Sequence, residues 1–171
     1  MDMRLSNITR KMYENGLCDE EKVMQITENV FKCQTEKSSK YEDVQLHVDF
    51  WCIKNDKKYG VDVKGLRKNR RDDKEYDDTI NWIELLNVQG NPGWVYGEAS
   101  YIAFLTKDSV IYVPRKKLAN FIQEKIQNKQ IVYNNPNEFY QPYQRKGRLD
   151  MIVKIPTNDL KIIAKHIINY E

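Results

Sequence analysis

Asp49 and Asp62 are the residues of this chain best spaced to do chemistry together. Val44, Leu46, Val48, Phe50 and Cys52 alternate with Gln45, His47, Asp49 and Trp51, the period of a half-buried strand. Asn55 and Asp56 supply turn chemistry, after which Tyr59, Val61 and Val63 alternate with Gly60, Asp62 and Lys64. A two-residue turn at Asn55-Asp56 sets the register: Val48 meets Val63, Phe50 meets Val61, Asp49 meets Asp62 and His47 meets Lys64. One face is then apolar, and the other gathers two carboxylates, a histidine and a lysine, with opposed Cβ atoms about 5 Å apart. Facing carboxylates repel unless a proton or cation lies between them. Oxygen ligands of this kind suit Mg²⁺ or Mn²⁺, with the Val63 carbonyl as a further ligand. Lys64 is placed to orient or deprotonate an attacking water, or to hold a phosphate. Glu84, between Ile83 and Leu85 in an expected inner strand, needs a partner for its carboxylate and is a further candidate ligand.

Asp49 followed by Asp62-Val63-Lys64, within Tyr59-Gly60-Val61-Asp62-Val63-Lys64-Gly65, resembles the PD-(D/E)xK superfamily of restriction-endonuclease-like nucleases. The match covers about 22 residues directly. The run Trp82-Ile83-Glu84-Leu85-Leu86-Asn87, continuing to Gly93-Trp94 and Tyr101-Ile102-Ala103-Phe104, is similar to phage-type members. The resemblance implies a central mixed β-sheet flanked by helices, a Mg²⁺-dependent endonuclease activity and a phage-encoded protein acting in a bacterial cytoplasm. Several members also carry a catalytic acid on the helix before the first core strand, which points to Glu28. Two departures stand beside it: no proline precedes Asp49, and the pattern offers no separate strand between that helix and the Asp49 strand, where the family usually has one.

The elements that must position these residues follow from periodicity. Asp19 caps a helix expected over 20–33, with Glu20 and Glu21 in its favourable first turn. Residues 36–42 read as a polar connection and 65–81 as a charged loop without apolar period. Strands are expected over 82–88, 100–106, 110–113 and 151–155, and helices around Leu118–Ile126 and from Thr157 through Ile167. Gly90, Pro92, Gly93 and Gly97 punctuate a loop whose Trp94 and Tyr96 fit either stacking on a nucleobase or plugging a core. Residues 132–147 read as extended loop. The order is α+β or mixed α/β, one nuclease-like domain over 1–171 with one sheet and helices packed on it.

Charge bounds the partners. Twenty-eight basic against 25 acidic residues leave +3, too little to imply nucleic acid by itself. Distribution says more. Arg67, Lys68, Arg70 and Arg71 follow Lys64 directly, and Arg115, Lys116, Lys117 and Arg145, Lys146, Arg148 form two further clusters suited to phosphates. His47 is expected as a supporting or surface residue, and His166 as solvent-exposed on the last helix. Cys18, Cys33 and Cys52 are odd in number with no CxxC, so they are expected reduced and structural. No apolar run approaches the ~20 residues of a membrane span, and the first ten residues lack the apolar core of a signal peptide. No GxSxG, HExxH or GxxxxGK motif competes. The expectation is an intracellular, cytoplasmic nuclease cleaving DNA, with structure-selective, junction-resolvase-like action as one form, no membrane partner, and a homodimer compatible with it. The competing classes are a non-catalytic nucleic-acid-binding module on the same fold and a structural protein.

Overall fold

A computed structural model describes residues 2–4, 19–66, 75–134 and 138–170. Strand β1 (Asp2–Arg4) precedes helix α1 (Asp19–Phe31), whose first turn holds Asp19, Glu20 and Glu21, where acids offset the helix dipole. The helix buries Val23, Ile26 and Thr27 on one side. Strand β2 (Gln34–Lys37) follows, so the stretch expected as a plain connection begins as a sheet edge and supplies the strand between helix and Asp49. Its polar residues are mostly exposed, as an edge tolerates.

The expected strand over 44–52 is half as long. Glu42–Leu46 is a π-helical turn, His47 is left-handed (φ 53°, ψ 55°), and β3 spans only Phe50–Lys54. Glu42 explains the difference: one carboxylate oxygen accepts from Ser39 N and Oγ (both 2.8 Å) and the other from Trp51 Nε1 (3.0 Å), winding the segment back onto β3. Val44, apolar at the expected strand period, is 53% exposed. Beyond the turn at Asn55 and Asp56, both with positive φ, β4 (Lys57–Lys64) pairs with β3 in the expected register, Phe50 with Val61 and Lys54 with Lys57. The ladder stops at Phe50–Val61, so the expected Val48–Val63, Asp49–Asp62 and His47–Lys64 pairs do not form: the π-helical turn and the left-handed His47 take those residues out of the strand.

Next come β5 (Ile80–Leu86), a 3₁₀ turn (Trp94–Tyr96), the hairpin β6 (Tyr101–Leu105) and β7 (Ser109–Pro114), and α2 (Arg115–Ile126). The last elements are β8 (Tyr143–Gln144), β9 (Met151–Pro156), α3 (Thr157–Ile163) and β10 (His166–Asn169). The expected last helix thus stops at Ile163, and Ile167 and Ile168 continue as a strand against β7, where β-branched residues complete the sheet. Thr157 opens the helix without capping it: its hydroxyl donates to the Asp78 carbonyl (2.5 Å) and accepts from Asn81 (2.8 Å).

Among the described residues two sheets form where one was expected: seven strands in the order β1-β10-β7-β6-β4-β3-β2, and three in the order β5-β9-β8. The fold is mixed α+β. Val23, Ile26, Phe50, Val61, Ala103, Leu105, Val110, Tyr112 and Ile168 make the core under α1. Ile102, Phe104, Ile111 and Val113 point the other way, into a core shared with Ile83, Leu85, Trp94, Leu118, Ile122, Val153, Ile155 and Leu160. Both faces of the large sheet are therefore covered, and β4, parallel to β6, runs between the layers. Among the described residues no helix is long and apolar enough to cross a membrane.

Candidate active site

In β4, Asp62 registers with Ile102 and Lys64 with Phe104 of β6, so both polar side chains lie on the face covered by the small sheet. Asp62 is only 2% exposed. Lys64 Nζ donates to Asp62 Oδ1 at 2.6 Å and sits 4.5 Å from the centre of the Trp94 ring. The ammonium is thereby held between a carboxylate and an aromatic face. Trp94 is itself 8% exposed and edge-packed on Phe104, which makes it a core plug and takes its ring from any stacked base.

Asp49 enters from just past the last β3–β4 pair. Its N–H donates to the Val61 carbonyl (2.9 Å), and its Oδ2 accepts the Val63 N–H (2.6 Å). The carboxylate takes the place that a strand residue would have filled, which locks it onto the backbone of Asp62-Val63-Lys64. Val63, expected to lend its carbonyl, contributes its amide in this arrangement. Burial raises the pKa of Asp62 to about 7, against the opposing pull of Lys64. The neighbouring Asp49 adds to the rise, through its charge and through a hydrogen bond that the two carboxyl groups share once one is protonated. With both ionised, Asp62 Oδ2 is buried without any hydrogen-bond partner.

Two cavities touch the neighbours of Asp62, and Asp62 itself lines neither. Asp49 lines a cavity of about 220 Å³ with Glu20, Lys37, Ser38, Lys40 and Asp43. Lys64 lines a narrower one with Asp77, Asp78, Trp82 and Trp94. His47 feels Lys64, Glu84, Asp43 and Asp49, and its pKa is lowered, first by burial and then by the Lys64 charge. Gly97 is required beside it, since a Cβ there would lie 2.8 Å from both His47 Cβ and the Leu46 carbonyl.

The structure separates the expected site residues into groups. Asp49, Asp62, Val63 and Lys64 converge, and Glu84 lies within electrostatic reach of His47. Glu28 does not join them: its Oε1 accepts from Thr35 N (3.1 Å) and Oγ1 (2.6 Å), fastening α1 to β2 beside Cys52, away from Asp49. The first turn of α1 reaches the site region instead. Glu20 lines the Asp49 cavity, and Asp19 packs so tightly on Gly65 that a Cβ there would lie 2.0 Å from Asp19 Oδ2. The sequence placed Asp19 and Glu20 at the helix start, and only tertiary packing shows that this end, rather than the Glu28 turn, approaches Asp49.

The basic clusters divide likewise. Arg115 spends its guanidinium on the Ala99 (3.0 Å) and Val95 (3.2 Å) carbonyls, tethering the Trp94 turn. Arg145 pairs with buried Asp150 through Nε (2.9 Å) and Nη2 (2.5 Å). Lys116, Lys117, Lys146 and Arg148 are exposed. Arg67, Lys68, Arg70 and Arg71 lie outside the described residues. Lys37 and Lys40, unassigned from sequence because they sat in a polar connection, stand at the Asp49 cavity. His166 belongs to β10 instead of a solvent-facing helix: it packs on Phe31 (4.9 Å between ring centres), and its Nδ1 is buried. Comparison of the chain with family models, curated proteins and solved structures returns no match.

Proposed function

We propose that this chain is a divalent-metal-dependent nuclease that hydrolyses DNA phosphodiester bonds on a restriction-endonuclease-like fold. The observation that carries the reading is Asp62: a carboxylate inside the protein, one oxygen held by Lys64, the other unpartnered, with a second carboxylate beside it. The Arg145–Asp150 pair also leaves a buried carboxylate oxygen over, so what sets Asp62 apart is the second carboxylate, Asp49, beside it. The donor set is all oxygen and fits a hard cation, Mg²⁺ or Mn²⁺, held by Asp49 and Asp62 with the Val63 carbonyl and Glu84 as further candidates. Such an ion, when bound, supplies charge stabilisation for the phosphate under attack. The protein's part is then positional. Asp49 is fixed by the Val63 amide, and Lys64, seated on Trp94, orients the water or holds the scissile phosphate. Strand β2, lying between α1 and β3, further supports the fold assignment.

A second reading, a non-catalytic nucleic-acid-binding module, is favoured by one observation: among the described residues no group of three or more His, Cys, Asp or Glu side chains is gathered to hold a metal. Labelled duplexes, branched junctions and single strands, incubated with and without Mn²⁺, separate the two. The nuclease reading expects products only with the ion. Binding without cleavage under every condition gives the second reading.

A further inference from the structure

At the other end of the β3–β4 hairpin two cysteines distant in sequence meet. Cys33 follows α1, and Cys52 sits in β3 opposite Thr35. Cys52 Sγ lies 2.7 Å from Cys33 Sγ, inside ordinary contact of two sulfurs and a small step from the ~2.05 Å of a disulfide. Both thiols are free. Cys33 is part-exposed, whereas Cys52 is buried and lines a cavity of about 190 Å³ with Tyr59, Tyr101 and Tyr112, which leaves its side chain room to turn.

We propose that Cys33 and Cys52 are a redox-modifiable dithiol, closed to an intramolecular disulfide by exchange with a small-molecule disulfide. Cys33, the accessible thiol, attacks as thiolate on one sulfur of the small disulfide, forming a mixed disulfide and expelling one small thiolate. Cys52 then gives up its proton and attacks Cys33 Sγ, expelling the second. Two protein thiols are oxidised, one small disulfide is reduced to two thiols, and the two protons end on the leaving thiolates. The order follows from burial, which also pushes the Cys52 thiol up to about 12 and makes it a poor first nucleophile. The product would join the end of α1 to the strand that leads from Asp49, and it stands independently of the nuclease reading.

Cys18 lies outside the described residues, so the test uses full-length Cys18→Ser protein, treated with oxidised glutathione, quenched in acid and weighed intact. The expected product has lost two hydrogens and carries no glutathione, and peptide mapping joins Cys33 to Cys52. Adding Cys52→Ser should instead trap one glutathione on Cys33. Mapping the wild-type chain gives the same answer without any substitution. Two unreacted thiols, a glutathione adduct persisting while Cys52 is present, or links only between chains would overturn the proposal.

Discussion

The two ends of the β3–β4 hairpin differ in the kind of polar group each leaves over. At the thiol end Thr27 donates to the Val23 carbonyl (2.7 Å) and meets the Tyr112 hydroxyl (2.8 Å), and the thiols meet each other. At the carboxylate end a buried oxygen is left over and like charges are brought together. The first end leaves over an imidazole nitrogen, His166 Nδ1, at the cavity it shares with Cys52. The second lowers stability, and a fold keeps such an arrangement where a ligand or a reaction uses it.

The largest expected effect is on catalysis. Asp62→Asn should lower DNA cleavage by more than the roughly 10–100-fold typical of residues that only support metal ligands, and Lys64→Ala by about 10²–10⁴-fold with divalent-ion binding retained. Single-turnover cleavage and ion titration of each variant check this. Wild-type cleavage by Asp62→Asn protein would make the two ends equivalent.

A second effect concerns folding. The Asp62 pKa is raised in the folded chain, so its contribution is fully present below about pH 4 and is lost as pH rises through about 7. Urea unfolding across that window, without divalent ion, should show a stability component falling with pH on the order of 2–4 kcal/mol, and Asp62→Asn should remove it. Mn²⁺ should restore stability at pH 8 more than at pH 5. A wild-type curve of the same slope as the variant's would contradict the burial argument.

How much of this could be read beforehand depends on range. The hairpin turn, its register and the Asp49–Asp62 neighbourhood are set within about twenty residues, and turn chemistry decides them. The same local pattern misleads at Val44 and Leu46, because alternation cannot reveal that Glu42 captures Ser39 and Trp51 and winds the chain. Glu28 illustrates a second limit: periodicity gives the helix, and docking chooses which of its turns approaches Asp49. The β5–β9 pairing and the Cys33–Cys52 contact join distant segments that no local pattern connects.

Smaller effects sharpen the contrast. Trp94→Leu removes the face under Lys64, worth about 0.5–2 kcal/mol, and should slow cleavage roughly 2–30-fold while shifting its pH profile, with ion binding unchanged. An unshifted profile would mean that Trp94 is only a core plug. Changing Arg67, Lys68, Arg70 and Arg71 together to Ala should flatten the salt dependence of DNA binding by up to about one unit of slope per lost phosphate contact, across all sequences alike. Arg115→Ala should leave that slope unchanged and cost stability, since its guanidinium is spent on Val95 and Ala99.

The central claim is that Asp49 and Asp62 share a divalent cation. Titrating the chain with Mn²⁺ near pH 8, followed by electron paramagnetic resonance of the free ion, tests it most directly. The account predicts a saturable site in the wild-type protein that Asp62→Asn abolishes and Lys64→Ala keeps. Mn²⁺ binding of equal affinity in the wild-type and Asp62→Asn proteins, or none in either, would contradict it.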